Sequence, residues 1–341
     1  MTFARDGTRP NCYNVTSHMA NAASAPQTIP VKKIILLRPR GFCAGVVRAI
    51  DVVKIALDLY GAPIYVRKEI VHNKHVVDEL RTAGAIFVEE LSEVPMGARV
   101  IFSAHGVAPT VRHEAREREL QVIDATCPLV TKVHLEAVKF ARKNFTIILI
   151  GHKDHDEVIG TLGEAPQSTI LVSTVQDVDQ LQVKDPERVS FITQTTLSLD
   201  ETRDIVQRLK EKFPSIQGPA AQDICYATEN RQMAVKAISA NVDLLLVVGS
   251  ENSSNSKRLV EVGDNFGVHS HLVNDRGDVD GAWLEGVKNV GVTAGASAPE
   301  HLVQELIEFL RERGFESLEE IELVDEDVRF SLPAELTISI Q

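Results

Sequence analysis

Basic residues are in deficit in this sequence. Its 36 lysines and arginines stand against 48 aspartates and glutamates, which gives a formal net charge of −12 at pH 7. Nucleic acids and anionic membranes bind proteins through basic surfaces, so we exclude both as main partners. A small anionic ligand stays compatible with this charge, because a single pocket can be rich in N–H donors.

Long apolar runs and signal sequences are missing as well. No apolar run approaches the roughly 20 residues of a membrane-spanning helix. The first 30 residues have no apolar core of a secretory signal. We therefore expect a cytoplasmic protein without a membrane anchor, and we expect the polar extension 1–30 to be disordered.

Two common nucleotide-binding signatures are absent. The sequence contains no G-x-x-x-x-G-K-[ST] loop, and no G-x-G-x-x-G opens a strand–helix unit. Nucleotide binding is therefore not expected. What is present is an ordinary globular composition, with 44% apolar and 25% charged residues over 341 positions, a length that suggests two or three domains.

Cysteine is scarce, and its spacing argues against a disulfide framework. Cys12 lies in the extension, and Cys43, Cys127 and Cys225 are far apart with no C-x-x-C pair. Three widely spaced cysteines indicate a reducing compartment. Taken singly, each is compatible with a small buried hydrophobic residue.

These three cysteines share one local context. Cys43 follows the apolar run Ile34–Leu37 and opens a helical pattern, and the stretches 122–130 and 223–232 repeat this arrangement around the other two. A thiol at the positive end of a helix is favoured as the thiolate, the form that binds metal. Three converging thiolates suit zinc or an iron–sulfur cluster, and the missing fourth ligand leaves an open position, as in catalytic centres.

Strand-like and helix-like segments alternate from residue 34 onward, which predicts an α/β fold with mainly parallel sheets. In such sheets, ligands bind beyond the carboxyl ends of the strands. The strand-like runs are 34–37, 64–66, 100–103, 147–150, 170–172, 189–193, 244–248 and 290–293. The helical patterns are 46–60, 73–83, 128–144, 199–212, 229–241, 257–266 and 299–313.

The cysteine segments lie roughly 85 and roughly 100 residues apart, about the length of one small domain each. This spacing predicts three similar α/β units, each offering one cysteine to a shared centre. The first unit would span 45–127, the second 128–221, and the third 31–44 together with 222–313. A strand-like C-terminal tail, 314–341, is expected to pack over the body.

Histidines stand at the ends of several predicted strands or in the loops that follow them. His72, His105 and His155 have such positions, and turns of this kind offer backbone N–H groups that bind anions. An isolated loop histidine is more often simply solvated, and His152 is a candidate for holding its loop. Glu157 stands two residues after His155, where it could deliver protons.

Hydroxyl and amide side chains follow other predicted strands. Thr195 and Thr196 either relay a proton or satisfy the hydrogen-bonding groups at the end of a strand. The run Ser253–Asn255 is either a helix cap or part of an anion site. Ser297 has a similar position after a later strand.

Eight motifs occur in a specific order along the chain. They are Pro39–Gly45, Val71–Lys74, Phe102–Gly106, Asp124–Val130, Thr193–Thr196, Asp223–Thr228, Gly249–Asn255 and Thr293–Pro299. Together they resemble the 4-hydroxy-3-methylbut-2-enyl diphosphate reductase family (LytB/IspH), over everything except the extension.

The resemblance implies a trefoil of three α/β units around a central [4Fe–4S] cluster, held by Cys43, Cys127 and Cys225. It implies an oxidoreductase that removes the allylic hydroxyl of its substrate as water, using two electrons and two protons. The products would be isopentenyl and dimethylallyl diphosphate, in the last step of the non-mevalonate route to isoprenoids. An electron donor such as flavodoxin or ferredoxin would be a partner, and the protein would be a monomer or homodimer.

The resemblance also implies roles for single residues. Glu157 would donate the proton, with Thr195 near the substrate hydroxyl and His155 lining the same site. One departure from the family loop Gly-His-x-x-His-Pro-Glu-Val is Asp156, which stands where the family usually has proline and adds a negative charge. The set that would bind the substrate is His72, His105, His155, Thr195, Thr196, Ser253, Ser254, Asn255 and Ser297.

Two other classes of function remain open from the residues alone. A zinc-dependent hydrolase would use the same thiolates and histidines. A non-enzymatic iron–sulfur electron carrier would use the cysteines but would need no polar pocket beside the cluster.

Overall fold

Strands and helices alternate along residues 32–340, the part of the chain that this computed structural model describes, with side chains described to residue 337. No helix in that part is long and apolar enough to cross a membrane. Within it the strands are β1 (Lys33–Arg38), β2 (Ile64–Arg67), β3 (Ala85–Val88), β4 (Arg99–Phe102), β5 (Gln121–Asp124), β6 (Thr146–Ile150), β7 (Thr169–Val172), β8 (Val189–Thr193), β9 (Leu244–Val248), β10 (His269–Val273), β11 (Asn289–Ala294) and β12 (Ser317–Glu322). The α-helices are α1 (Ala44–Tyr60), α2 (Lys74–Thr82), α3 (Pro109–Glu117), α4 (Pro128–Arg142), α5 (Asp156–Glu164), α6 (Val175–Gln180), α7 (Leu199–Lys212), α8 (Tyr226–Ile238), α9 (Ser254–Asn265), α10 (Glu300–Arg311) and α11 (Ala334–Ile340).

The strands form three small sheets. Their orders are β10-β9-β11-β1-β12, β3-β2-β4-β5 and β7-β6-β8, and each pairing between neighbouring strands in these sheets is parallel. Parallel strands need crossover connections, which the helices supply. The prediction of an α/β fold with mainly parallel sheets is confirmed.

Both faces of the five-stranded sheet are buried. Ile34 and Leu36 of β1 belong to the apolar cluster that contains α10, whereas Ile35 and Leu37 belong to the cluster that contains residues of α8 and α9. Successive side chains of a strand point to opposite faces of the sheet. This explains why β1 and β9 read as continuous apolar runs rather than as alternating patterns.

Short and polar elements differ from the sequence-based expectations. The strands β3 and β10 and the helices α3, α5 and α6 are not among the predicted segments. β3 is apolar but only four residues long, whereas β10 and the three helices have too few apolar residues to give a clear period. The strand-like reading of Leu336–Ile340 is wrong, since these residues belong to α11. The carbonyl of Pro333 accepts the N–H of Leu336, 3.1 Å away, and the Leu336 side chain is buried in the cluster that contains α1.

The first and last strands of the described chain lie side by side. β12 pairs with β1, so part of the predicted tail 314–341 forms the edge of the five-stranded sheet. The unit boundaries predicted from the cysteine spacing remain predictions. The extension 1–30 and Cys12 lie outside the described residues.

One buried arginine ties the tail to two cysteine-bearing segments. Arg231 of α8 has no exposed surface; its Nη2 donates to the carbonyl of Gly41 at 2.8 Å, and its Nη1 donates to Glu326 at 3.0 Å. A second arginine, Arg48 of α1, donates through Nε to the carbonyl of Ser331 at 2.7 Å. The chain after β12 is therefore held down by charge-assisted hydrogen bonds.

We expect Arg231→Met to destabilise the fold by about 3–5 kcal/mol, because it leaves the carboxylate of Glu326 without its buried partner. Urea unfolding of the purified protein measures the change. The matched control is Arg329→Met, which removes an arginine whose side chain is 93% exposed and should leave the unfolding midpoint unchanged. Equal midpoints for the two variants would contradict the proposed importance of the buried pair.

Candidate functional site

Each of the three cysteines stands directly before a helix. Cys43 is the N-cap residue of α1, Cys127 of α4 and Cys225 of α8, and in none of them does the side chain cap the helix. None of the three thiols forms a disulfide. Each cysteine N–H is anchored on a carbonyl just beyond a strand: Ala296 for Cys43 at 3.2 Å, Ala104 for Cys127 at 3.0 Å and Thr195 for Cys225 at 3.0 Å.

The three sulfur atoms converge on one cavity, as the sequence predicts. Cys43, Cys127 and Cys225 all line it. A Cβ atom added to Gly45 would lie 2.8 Å from Sγ of Cys127 and 3.8 Å from Sγ of Cys43. Contacts under 3 Å are too short for carbon and sulfur. The sulfurs can therefore lie in this arrangement only because residue 45 is glycine.

Burial opposes ionisation of these thiols. Burial raises the pKa of Cys127 to about 12, and the neighbouring Cys43 adds to the increase. Burial and Cys43 likewise raise the pKa of Cys225 to about 11. The helix N-terminus does favour the thiolate, since the backbone N–H groups of Leu129 and Val130 lower the pKa of Cys127, but burial outweighs this effect. Three thiolates here require a positive charge between them, which is what a metal centre provides.

The spacing of the sulfurs differs from that of a single-ion site. In a tetrahedral zinc site with Zn–S bonds of about 2.3 Å, the sulfurs lie about 3.8 Å apart. Among the described residues, the condition that three possible ligand atoms all lie within 4.8 Å of one another is met by His72, His105 and Asp156, and not by the three cysteines. As they lie here, the three sulfurs are too far apart to share one ion.

Three imidazoles form one wall of the cavity. The rings of His72 and His105 are stacked, with centroids 4.0 Å apart and planes inclined by 20°. His155 meets both rings edge-on, at 5.5 Å from His72 and 6.0 Å from His105. The sequence predicts all three as site residues, and the structure brings them together.

Two of these imidazoles, those of His105 and His155, are held in the neutral form. Burial, followed by the nearby His72 and His155, lowers the pKa of His105 well below its usual value. Burial and His72 lower the pKa of His155 to about 3. The Nδ1 atom of His155 accepts the N–H of Glu157 at 3.2 Å, so the ring proton is on Nε2 and is available to an anion.

Hydroxyl and amide groups form another wall of the cavity. Ser253 is the N-cap of α9 and accepts the N–H of Ser256, so the cap reading holds while the residue also lines the cavity. Ser254 donates to the carbonyl of Thr196 at 3.1 Å, and Ser297 donates to the carbonyl of His72 at 2.8 Å. The N-terminus of α9 thus lines the same cavity as the imidazoles, and a helix N-terminus favours an anion.

Asn255 and Thr228 connect this wall to the thiols. Asn255 donates through Nδ2 to Oγ1 of Thr228 at 3.2 Å and accepts the N–H of Ala296 at 2.9 Å. Thr228 in turn contacts Sγ of Cys225 at 3.2 Å. No role for Thr228 was predicted, although it stands in the Asp223–Thr228 motif, three residues after the cysteine.

Glu157 is a buried carboxyl group beside the thiols. Only 2% of its surface is exposed; its Oε1 accepts the N–H of Thr195 at 2.7 Å, and its Oε2 pairs with Oγ1 of Thr195 at 2.9 Å. Burial raises the pKa of Glu157 to about 7, although both hydrogen bonds from Thr195 lower it. A carboxyl group with this pKa exchanges a proton at neutral pH, as a general acid must.

Other residues support the cavity without being predicted from sequence. The carboxylate of Glu69 accepts a hydrogen bond from Nδ2 of Asn252 at 2.7 Å. It also lies 3.4 Å from Nδ1 of His72, and this contact orients the His72 ring. Apolar residues including Val71 and Leu129 add a hydrophobic wall. His152 lies beside Gln194, 3.3 Å from its Oε1; it is absent from the cavity lining and fits the loop-holding reading.

Fold and site together define an α/β protein of three parallel sheets, in which three cysteines at helix N-caps line one cavity with imidazole, hydroxyl and carboxyl groups. The family model described as LytB protein matches residues 34–311. The chain belongs to the LytB family.

Known relatives agree with this assignment. The chain is 57% identical over 309 residues to 4-hydroxy-3-methylbut-2-enyl diphosphate reductase of Acidothermus cellulolyticus, covering 90% of this chain and 91% of the relative. It is also 57% identical to the enzyme of the same name from Tolumonas auensis, and this match covers 90% of this chain and 100% of the relative.

Solved structures resemble the whole fold. The E-1-hydroxy-2-methyl-but-2-enyl-4-diphosphate reductase from Plasmodium falciparum superposes with a TM-score of 0.89 at 44% identity, covering 91% of this chain and 98% of that one. A second structure, of (E)-4-hydroxy-3-methyl-but-2-enyl diphosphate reductase, the terminal enzyme of the non-mevalonate pathway, gives a TM-score of 0.60 at 31% identity, covering 82% and 99%.

We expect the carboxyl group of Glu157 to titrate near pH 7. Infrared difference spectra between pH 5 and pH 9 should show a protonated-carboxyl band that fades around neutrality and is missing in Glu157→Gln. Thr195→Val removes a hydrogen bond that stabilises the carboxylate, so its band should persist to higher pH than in the wild type. A band that has vanished by pH 5 in the wild type would contradict the raised pKa.

Proposed function

We propose that this protein is a reductase of (E)-4-hydroxy-3-methylbut-2-enyl diphosphate. The reaction takes up two electrons and two protons, breaks the allylic C–O bond, and yields isopentenyl or dimethylallyl diphosphate and water. The single observation that carries the proposal is the cavity in which three thiols, a buried carboxyl group and three imidazoles meet. The names of the relatives described above support the same substrate.

The resident group that fits the cavity is a [4Fe–4S] cluster. Cys43, Cys127 and Cys225 would hold it, since their burial demands a compensating cation and their sulfurs are too widely spread for one ion. When bound, such a cluster supplies the electrons and a Lewis-acidic iron with a position free for the substrate hydroxyl. An external donor of the flavodoxin or ferredoxin type would deliver the electrons, and free thiols suit a reducing compartment such as the cytoplasm.

The diphosphate would bind between the imidazoles and α9. His72, His105 and His155 supply ring nitrogens, and the set Ser253, Ser254, Asn255 and Ser297 supplies hydroxyl and amide donors. Because burial holds His105 and His155 in the neutral form, they bind an anion without first losing strong ion pairs. A diphosphate raises the pKa of these rings, so binding takes up protons and weakens as the pH rises.

Glu157 would deliver the proton that turns the hydroxyl into water. Its carboxyl group accepts a hydrogen bond from the Thr195 hydroxyl, and both residues line the cavity. Thr196 is held by Nε2 of Gln194 at 2.9 Å and would help to fix this wall. Because the pKa of Glu157 is about 7, turnover should decline above neutral pH, where the acid form is lost.

Two alternatives are less well supported. A zinc hydrolase would need three sulfurs within reach of one ion, which is not the arrangement among the described residues. An electron carrier would not need the imidazoles, hydroxyls and amide that line the cavity beside the thiols.

The decisive experiment is turnover by anaerobically reconstituted protein, with dithionite and methyl viologen as electron source and mass spectrometry of the products. Wild-type protein should convert the allylic diphosphate to both isoprenoid diphosphates. Glu157→Gln should keep cluster and substrate binding but lose turnover by about 10²–10⁴-fold. Glu251→Gln, a change at an exposed glutamate before α9, is the matched control and should keep wild-type activity.

Two results would overturn the proposal. Reduced, cluster-loaded protein that leaves the diphosphate unchanged would favour an electron carrier. Colourless protein that carries stoichiometric zinc as isolated under anaerobic conditions would favour a hydrolase. Full activity of Glu157→Gln would remove that residue from the proton route.

A further inference from the structure

Arg48 is a buried cation that joins the helix after Cys43 to the segment before Cys127. Only 9% of its surface is exposed, and it stands in the second turn of α1. Its Nη1 atom donates to the carbonyl of Thr126 at 3.1 Å, and its Nη2 atom donates to the carbonyl of Asp124 at 3.4 Å. The carbonyl of Thr126 belongs to the peptide bond that leads into Cys127, so the guanidinium group is fixed next to one of the three thiol-bearing residues.

A third hydrogen bond holds the same guanidinium group from the C-terminal part of the chain. Nε of Arg48 donates to the carbonyl of Ser331 at 2.7 Å, and the chain then leads into α11, whose Leu336 is buried in the cluster that contains α1. All three of these acceptors are neutral carbonyl oxygens, which satisfy N–H groups without cancelling the charge. Arg231 differs in this respect, because it is paired with the carboxylate of Glu326.

The charge of Arg48 and that of Cys127 act on each other. Burial lowers the pKa of Arg48, whereas the charges of Asp124, Cys127 and Glu335 raise it. An arginine side chain stays protonated in proteins, so a permanent positive charge lies within Coulombic reach of the thiol. Solvent and salt screen a buried charge much less than an exposed one. The field of Arg48 at the thiol centre is therefore stronger than that of a surface cation.

We propose that Arg48, through its buried positive charge, raises the reduction potential of a cluster held by the three thiols. Each electron that a cluster accepts adds one negative charge, and the reduction potential depends on the charges around the cluster. A fixed cation beside Cys127 thus stabilises the reduced form relative to the oxidised form. Arg48 does not line the cavity, so it is a positioning residue that acts through the cluster. The inference rests on the proposed function, because it needs the [4Fe–4S] cluster.

The test is an anaerobic redox titration of the reconstituted protein with dithionite, followed by electron paramagnetic resonance of the reduced cluster. Arg48→Gln removes the charge and keeps an amide donor. We expect its midpoint potential to fall by about 59 mV or more, which is a tenfold change in the one-electron equilibrium. Arg48→Lys keeps the charge but loses the planar fork of donors, so its potential should change by less than half as much. Circular dichroism and the iron content of each variant report on fold and cluster.

The matched control is Lys54→Gln, which removes a positive charge from an exposed position of the same helix. Its potential should equal that of the wild type, because solvent and salt screen the lost charge. A fall in Lys54→Gln as large as in Arg48→Gln would overturn the proposal, since burial of the cation would then be irrelevant.

The remaining outcomes also decide. A wild-type potential in cluster-loaded Arg48→Gln would overturn the inference and leave the reductase proposal intact. If Arg48→Gln does not fold or hold iron, Arg48→Lys decides alone: a wild-type potential supports the role of the charge, and a fall of about 59 mV or more contradicts it. Wild-type protein that assembles no cluster would overturn the proposed function together with this inference.

Discussion

The structure depends on bringing three thiols to one buried point. Burial and mutual repulsion raise the pKa of Cys127 and Cys225 far above neutrality, so the site is unfavourable for thiolates until a cation compensates them. The fold brings the three thiols together by repeating one local arrangement three times. Each cysteine starts a helix, and its N–H is fixed to a carbonyl just beyond a strand.

The same repetition arranges the rest of the cavity. Parallel strands end at one edge of each sheet, so the residues that follow them come together around the thiols. Neutral imidazoles and the N-terminus of α9 give one region an affinity for anions without a basic surface. Glu157 and Thr195 lie next to the thiols, where a buried carboxyl group holds a proton near neutral pH. An acidic protein can therefore bind a diphosphate, because local donors matter more than net charge.

Much of this arrangement follows from sequence patterns. Helices with a clear apolar period are located well, and α7 begins and ends where its pattern predicts. The repeated context of the cysteines predicts their convergence. Elements without a clear apolar period are located less well. β12, an edge strand rich in glutamate, lies within the predicted strand-like tail 314–341, whereas α11 is set by the burial of Leu336 and was predicted as a strand. The orienting role of Glu69 and the raised pKa of the thiols depend on distances and burial, which no local pattern contains.

The most direct test of the shared thiol centre is a count of iron and sulfide per chain after anaerobic reconstitution. The account predicts about four irons and four sulfides for the wild type, and a large loss in each of Cys43→Ser, Cys127→Ser and Cys225→Ser. Gly45→Ala should show the same loss, because its Cβ would meet the Sγ atom of Cys127, whereas Gly281→Ala, with open space around it, should not. Full iron and sulfide content in any of the three serine variants would contradict a centre that needs all three sulfurs.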